Sequence, residues 1–194
     1  MNELIKEMEE YALINDIPIM QKEGIEFFKE VIIRDSVKSI LELGTAIGYS
    51  AIQLARLADD IHVVSIERDQ ERYELAIKNV EKAGLSDRIT LILGDAFDVK
   101  VDGMFDCIFI DAAKAQYIKF FERYEGNLKT EGVIVSDNLK FHGFVDDMSK
   151  ISSRNLRGLV RKIQAYNDFL KNNNHFETRF FELGDGIALS YRKK

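Results

Sequence analysis

The chain reads as an α/β protein built on a mostly parallel sheet that closes with an antiparallel pair. Three observations predict this. From about residue 36, short apolar runs alternate with longer amphipathic ones. The short runs are apolar on both faces, as strands covered by helices on both sides must be. The last two, "FETRFFEL" and "GIALSYR", flank Leu183-Gly184-Asp185-Gly186 and leave no room for a helix, which is a hairpin signal.

Residues 1–35 form an N-terminal helical segment, with Leu4, Met8, Tyr11 and Ala12 at helical spacing. That apolar stripe is expected to pack on its own domain; a homodimer contact is the alternative. "SILELG" (39–44) reads as the first strand and "SAIQLARLA" (50–58) as a helix. "HVVSIE" (62–67) is a strand, and "QERYELAIKNVEKAG" (70–84) a helix stopped by Gly84. "ITLILGD" (89–95) and "FDCIFID" (105–111) are strands, followed by a helix near 115–128. "GVIVSDN" (132–138) is the fifth strand, and a helix near 153–171 crosses over to the final pair. That makes seven strands. Pro18 is the only proline and no Gly/Ser/Pro-rich linker interrupts the chain, so 1–194 reads as one domain.

Composition narrows the classes. Hydrophobic residues make up 46% and charged residues 31% of 194, which fits a globular chain with a good core. No apolar run approaches a membrane span. The start, "MNELIKEMEE", lacks a signal peptide's apolar core. Cys107 is the single cysteine, so no internal disulfide forms and a reducing cytoplasm is the default. A net charge of −6 argues against a general nucleic-acid binder, though not against a local basic patch.

Doubly wound sheets bind ligands beyond the carboxyl ends of their strands, at the switch point. There "ELGTAIGYS" (42–50) joins the first strand to the first helix. Gly44 and Gly48 permit a tight turn and close backbone approach. Ala46 stands where a dinucleotide's pyrophosphate needs the middle glycine, which argues against an NAD oxidoreductase. Glu67 ends the second strand, 23 residues after Gly44, where an acid accepts ribose hydroxyls. Asp95, in "LGDA", is placed to face an adenine amino group. An adenosine ligand without pyrophosphate is first of all S-adenosylmethionine.

Asp111 ends the fourth strand and Asp137-Asn138 the fifth. On neighbouring parallel strands these oxygen donors reach one rim, a hard site suited to Mg²⁺, Mn²⁺ or Ca²⁺. His62, His142 and His175 are scattered and form no cluster. Turn and cap chemistry is the plainer explanation for Asp137-Asn138. A divalent ion would hold two adjacent substrate oxygens and lower the pKa of a hydroxyl. Lys114 opens the next helix, where a cation is disfavoured by the dipole. It is either a partner for Asp111 or a proton acceptor beside the metal.

The ordered motifs "ILELGTAIGYSAIQLA", "FIDAAKAQY", "GVIVSDNLKFHG" and "LGDGIALS" resemble the cation-dependent O-methyltransferases related to caffeoyl-CoA and catechol O-methyltransferases, from about residue 17 to the C-terminus. The resemblance implies a Rossmann-like methyltransferase fold using S-adenosylmethionine and Mg²⁺ or Mn²⁺. It implies metal ligation by Asp111, Asp137 and Asn138, with Lys114 as general base. It implies cofactor contacts at Met20, Glu42, Gly44, Thr45, Gly48, Ser50, Glu67, Arg68, Asp95, Ala96 and Asp111. Many small-molecule members carry "IDADK"; Ala113 replaces that second acid here. "PIM", "GTAIGYS", "IDAAK" and "KISS…LVRKI…YN" look most similar to the bacterial subgroup that methylates 5-hydroxyuridine at the tRNA wobble position, implying the tRNA anticodon loop as partner. A catechol-type vicinal-diol aromatic is the alternative acceptor, because both present two adjacent oxygens. An adenosine-binding module without catalysis is a third class, opposed by the intact Asp111, Asp137, Asn138 and Lys114.

Charge bears on the acceptor. Residues 138–166 carry Lys140, Lys150, Arg154, Arg157, Arg161 and Lys162 against Asp146 and Asp147, a local +4. If the helix reaches back to 150, then Lys150, Arg154, Arg157 and Arg161 share one face and Leu156, Leu159, Val160 and Ile163 another. Such a face would track tRNA phosphates, or be simply solvated.

Overall fold

The computed structural model describes residues 2–145 and 147–194. Two helices, α1 (Asn2–Ile14) and α2 (Lys22–Arg34), precede the alternating part. Then come β1 (Ser39–Leu43), α3 (Tyr49–Ala55), β2 (His62–Glu67), α4 (Gln70–Ala83), β3 (Ile89–Leu93) and β4 (Phe105–Ile110). The chain closes with α5 (Tyr117–Tyr124), β5 (Leu128–Ser136), α6 (Arg154–Lys171), β6 (Phe176–Phe181) and β7 (Ile187–Arg192). The sheet order is β3-β2-β1-β4-β5-β7-β6. The first five strands pair in parallel, and β7 runs antiparallel to both β5 and β6. The order reverses between β1 and β4, so the crevice at their carboxyl ends is the switch point.

Two apolar layers hold the sheet. One face packs Ile40, Cys107, Phe109 and Val135 against α1 to α4. The other packs Leu41, Leu43, Ile108 and Ile110 against α5 and α6, with Phe121 and Tyr166 at its centre. Burial of each such side chain contributes roughly 1.5–3 kcal/mol, and alternate residues of one strand serve opposite layers. In α1, Leu4, Met8 and Ala12 are buried in the first layer, while Tyr11 faces solvent.

Several element boundaries differ from the sequence expectation. The first helix of the alternating part stops at Ala55. The fifth strand begins at Leu128 and ends at Ser136, which leaves Asp137 and Asn138 just beyond it. Lys114 lies in a single 3₁₀ turn, Lys114–Gln116, ahead of α5. It is therefore not at the first turn of an α-helix, and the dipole argument against a cation there loses its basis. Most consequential is α6. It does not reach back to 150: Ser153 adopts extended backbone and its hydroxyl caps Leu156 N–H, so the helix begins at Arg154. Lys150 falls in a separate 3₁₀ turn and does not continue the helical face of Arg154, Arg157 and Arg161. Asp146 lies outside the described residues.

Candidate active site

The floor of the crevice is the β1–α3 loop. Gly44 has φ of +99°, and a Cβ built there would sit 2.2 Å from the Asp111 carbonyl oxygen. Glycine is needed because the ends of β1 and β4 cross at van der Waals distance, with Asp111 N–H donating to Leu43 O at 3.0 Å. Ala46 also takes a left-handed conformation, φ +47°. Its N–H donates to Glu67 Oε2 at 2.8 Å, and Asp69 N–H donates to Glu67 Oε1 at 2.9 Å. Both carboxylate oxygens of Glu67 are thus oriented by backbone at the loop's edge, with lone pairs left for a ligand hydroxyl.

Beneath this loop lies a buried polar cluster. Glu42 is fully buried and accepts hydrogen bonds from the Ser50 and Ser65 hydroxyls. Ser65 also meets Thr45 Oγ1 at 2.6 Å. Burial pushes the Glu42 carboxyl up to about 7 against the two serine hydrogen bonds, and the charge of Glu67 adds to the rise.

A cavity of about 290 Å³ opens above the loop. Gly44, Glu67, Arg68, Asp95, Ala96, Asp111 and Lys114 all line it, as do Pro18, Arg72, Phe97, Gln116 and Phe120. Asp95 Oδ1 accepts Phe97 N–H at 2.9 Å, which fixes the turn after β3. Glu42, Thr45 and Ser50 lie behind the wall, and Gly48 caps α3 with φ of +84°. Met20 is buried, its Cε 3.2 Å from where a Cβ on Gly24 would stand, and it lines a different pocket.

Asp111 follows the last residue of β4, and Asp137 the last residue of β5, in a register that pairs Ile110 with Ser136. The two acids are therefore neighbours across the sheet. Asn138 has φ of +65°, which turns its side chain back, and its Nδ2 lies 3.2 Å from Asp111 Oδ1. Asp137 is 3% exposed, and Tyr117 donates its hydroxyl to Asp137 O at 3.2 Å. Burial raises the carboxyl pKa of both acids; the charge of Asp111 raises Asp137 further, Glu42 and Asp185 raise Asp111, and Lys114 opposes the rise in both. Lys114 Nζ stands 4.0 Å from Asp111 Oδ1, too far for a good hydrogen bond, and 6.0 Å from the centre of the Phe141 ring.

Among the described residues no three His, Cys, Asp or Glu side chains converge on one point. The third donor of the expected set is the Asn138 amide. A half-turn of that amide would present its oxygen beside Asp111. A buried carboxylate, Asp137, and a half-buried one, Asp111, with an amide oxygen alongside make a donor set that suits a hard divalent cation.

Three features of the site went unread in the sequence. Ser65 is a polar residue inside an otherwise apolar strand, a signal visible in "HVVSIE". Tyr117 had no signal beyond helical spacing. Asp185 was read only as a turn residue; it is buried beside the segment that follows Asn138.

Of the basic residues, Arg154, Arg157, Arg161 and Lys162 are exposed on α6. Arg157 Nε donates to Ile151 O at 2.7 Å and so anchors the segment before α6. Lys140 Nζ pairs with Glu182 at 2.9 Å. Arg154, Arg157 and Arg161 thus all stand on the surface of α6, with one nitrogen of Arg157 engaged by backbone.

A family model described as O-methyltransferase matches residues 1–193. A catechol O-methyltransferase of Niastella koreensis is 30% identical over 168 residues, covering 80% of this chain and 74% of that protein. A caffeoyl-CoA O-methyltransferase of Populus kitakamiensis is 27% identical over 205 residues, covering 98% and 87%. Among solved structures, a Staphylococcus aureus protein named as a candidate caffeoyl-CoA O-methyltransferase is 40% identical with a TM-score of 0.93, covering 97% and 92%. An O-methyltransferase from Bacillus cereus, solved in complex with SAH, shares the fold at 24% identity and a TM-score of 0.84, covering 98% and 91%.

Proposed function

The chain belongs to the O-methyltransferase family, and from that premise we propose that it moves the methyl group of S-adenosylmethionine to a ring hydroxyl that lies beside a second oxygen, with the help of a divalent cation. One observation carries the reading: Asp111, which lines the cavity, has the Asn138 amide 3.2 Å from its Oδ1, Asp137 beside it across the sheet, and the Lys114 amine 4.0 Å away. The cavity would take the adenosine part of the cofactor, with Glu67, oriented by two backbone N–H groups, toward the ribose and Asp95 also in its lining. Bound at Asp111, Asp137 and Asn138, Mg²⁺ or Mn²⁺ would grip both acceptor oxygens and acidify the hydroxyl. Lys114 is placed to take the hydroxyl proton. Asp111 serves both sites, since its backbone touches the β1 loop and its side chain faces the cation set. The residues around the reaction mainly align the oxygen with the methyl group, and alignment supplies much of the acceleration in such a displacement.

Two acceptors satisfy this chemistry. The named relatives favour a catechol-type small aromatic, whose two hydroxyls are vicinal. Two features of this chain favour 5-hydroxyuridine at the tRNA wobble position, giving 5-methoxyuridine: Ala113 in place of an acid, and the exposed Arg154 and Arg161 on α6. 5-Hydroxyuracil presents its hydroxyl beside the C4 carbonyl, so one cation holds it as it holds a catechol. The deciding experiment offers labelled S-adenosylmethionine and Mg²⁺ with either a catechol or tRNA bearing 5-hydroxyuridine. Label confined to the catechol refutes the tRNA reading. Label on tRNA that falls with Arg154→Ala and Arg161→Ala, and with rising salt, supports it. Label on neither acceptor refutes the proposal.

A further inference from the structure

Asp185 sits in the turn between β6 and β7, in the segment Leu183-Gly184-Asp185-Gly186. Its side chain is only 6% exposed. Gly186 makes this placement possible: with φ of +89°, a Cβ there would stand 2.9 Å from Lys140 Cγ and 3.0 Å from Lys140 N. The turn is therefore pressed against the segment that leaves the expected cation site. Leu139 N–H donates to Gly186 O at 3.0 Å, and Lys140 N–H donates to Asp185 O at 2.8 Å. These two bonds extend the β5–β7 pairing past Asp137 and Asn138, so Asp185 is held just beyond the two residues expected as ligands.

The carboxylate is used unequally. Oδ1 accepts the His142 backbone N–H. Oδ2 is buried and accepts no hydrogen bond among the described residues; His142 Nδ1 is 3.8 Å away. A buried carboxylate oxygen without a donor has lost its water and gained nothing in exchange. If Asp185 only fastened the loop, Oδ1 and the backbone would suffice, and an amide would serve as well. Oδ2 calls for a donor that arrives with a ligand.

Coordination chemistry names that donor. Mg²⁺ prefers six oxygen ligands in an octahedron and gives up its waters reluctantly. Asp111, Asp137 and Asn138 supply three, and an acceptor with two adjacent oxygens supplies two. One position remains for water, whose hydrogens need acceptors. We propose that Asp185 is a positioning residue whose free Oδ2 accepts a hydrogen bond from a water of the hydrated divalent cation, while its Oδ1 holds the 139–142 segment in place. The proposal rests on the cation reading of Asp111, Asp137 and Asn138. Its negative charge also reaches those acids, since Asp185 contributes to the upward push on both Asp111 and Asp137. A charge that penalises two ionised carboxylates favours a cation between them.

The test uses Mn²⁺ as the probe, with affinity read by the loss of its free electron paramagnetic resonance signal on the full chain. Asp185→Asn keeps an oxygen for the His142 N–H but removes the charge. It should weaken Mn²⁺ binding about tenfold or more, the usual effect of a residue behind metal ligands. The melting temperature and the affinity for S-adenosylhomocysteine should stay close to the parent's. Asp185→Ser, smaller and neutral, should show the same loss and serves if the asparagine variant does not fold. Parent-like Mn²⁺ affinity in either folded variant overturns the proposal and leaves Asp185 a loop fastener. The parent's own affinity is the separate control. If the parent binds no Mn²⁺, or binds it unchanged in Asp137→Ala, the cation reading itself fails, and the role of Asp185 falls with it.

Discussion

Gly44→Ala is the sharpest perturbation of the crevice. The added methyl would lie 2.2 Å from the Asp111 carbonyl oxygen and 2.9 Å from its carbonyl carbon. A carbon and a carbonyl oxygen ordinarily approach to about 3.3 Å, so the ends of β1 and β4 must separate by about 1 Å. Such overpacking costs roughly 1–3 kcal/mol. The left-handed φ of +99° adds roughly 1 kcal/mol for any residue with a Cβ. The sum is about 2–4 kcal/mol, which in a chain of this size lowers the melting temperature by roughly 5–15 °C. The carbonyl displaced belongs to Asp111, so its carboxylate moves as well. A shift of about 1 Å at a positioning group costs on the order of a hundredfold in rate. Gly84→Ala is the control, since Gly84 has φ of +69° and nothing within 4 Å of a built Cβ. It should lose only the roughly 1 kcal/mol of backbone strain and keep full activity. Calorimetry and methyl-transfer kinetics on both variants check this. Equal melting temperatures and rates for the two would refute the claim that Gly44 exists to let Asp111 close over the first loop.

Two further predictions follow from the groups around the crevice. Burial holds the folded-state pKa of Glu42 at about 7, above the value near 4.5 expected in the unfolded chain. Its contribution to stability is complete below pH 4.5 and is lost as pH rises through 7, by roughly 2–3 kcal/mol between pH 5 and pH 8. Glu42→Gln should flatten that part of the pH–stability curve in chemical denaturation, and an unchanged slope would contradict the assignment. Lys114→Met should lower kcat by about 10²- to 10⁴-fold at pH 7, as expected for loss of a proton acceptor, with the KM for S-adenosylmethionine little changed. Unchanged kcat would remove Lys114 from the chemistry.

The alternating sheet was legible because its strands are apolar on both faces, a pattern few other arrangements satisfy. The terminal hairpin was legible because the Leu183–Gly186 turn leaves no room for a helix. Helix ends were less so. The start of α6 depends on whether Ser153 or an earlier residue caps it, and "SKISS" offers several candidates. The neighbouring positions of Asp111, Asp137 and Asn138 followed from their placing at the ends of adjacent strands. The reason for Gly44 did not. A strand-end glycine predicts close approach to something, but only the register of β1 with β4 identifies that something as Asp111 rather than a ligand. Asp185 was invisible for a similar cause. "GDG" is ordinary turn chemistry until the fold presses it against Lys140 and buries its carboxylate.

If Asp111, Asp137 and Asn138 act together on a cation to activate the acceptor, methyl transfer must depend on both the cation and the carboxylates. The most direct measurement is the initial rate of methyl transfer to whichever acceptor is labelled, in Mg²⁺ and in excess chelator, for the parent chain and for Asp137→Ala. Chelator should abolish the parent's activity and added Mg²⁺ should restore it. Asp137→Ala should stay inactive with Mg²⁺ while still binding S-adenosylhomocysteine. Full transfer in chelator, or in Asp137→Ala, would contradict it.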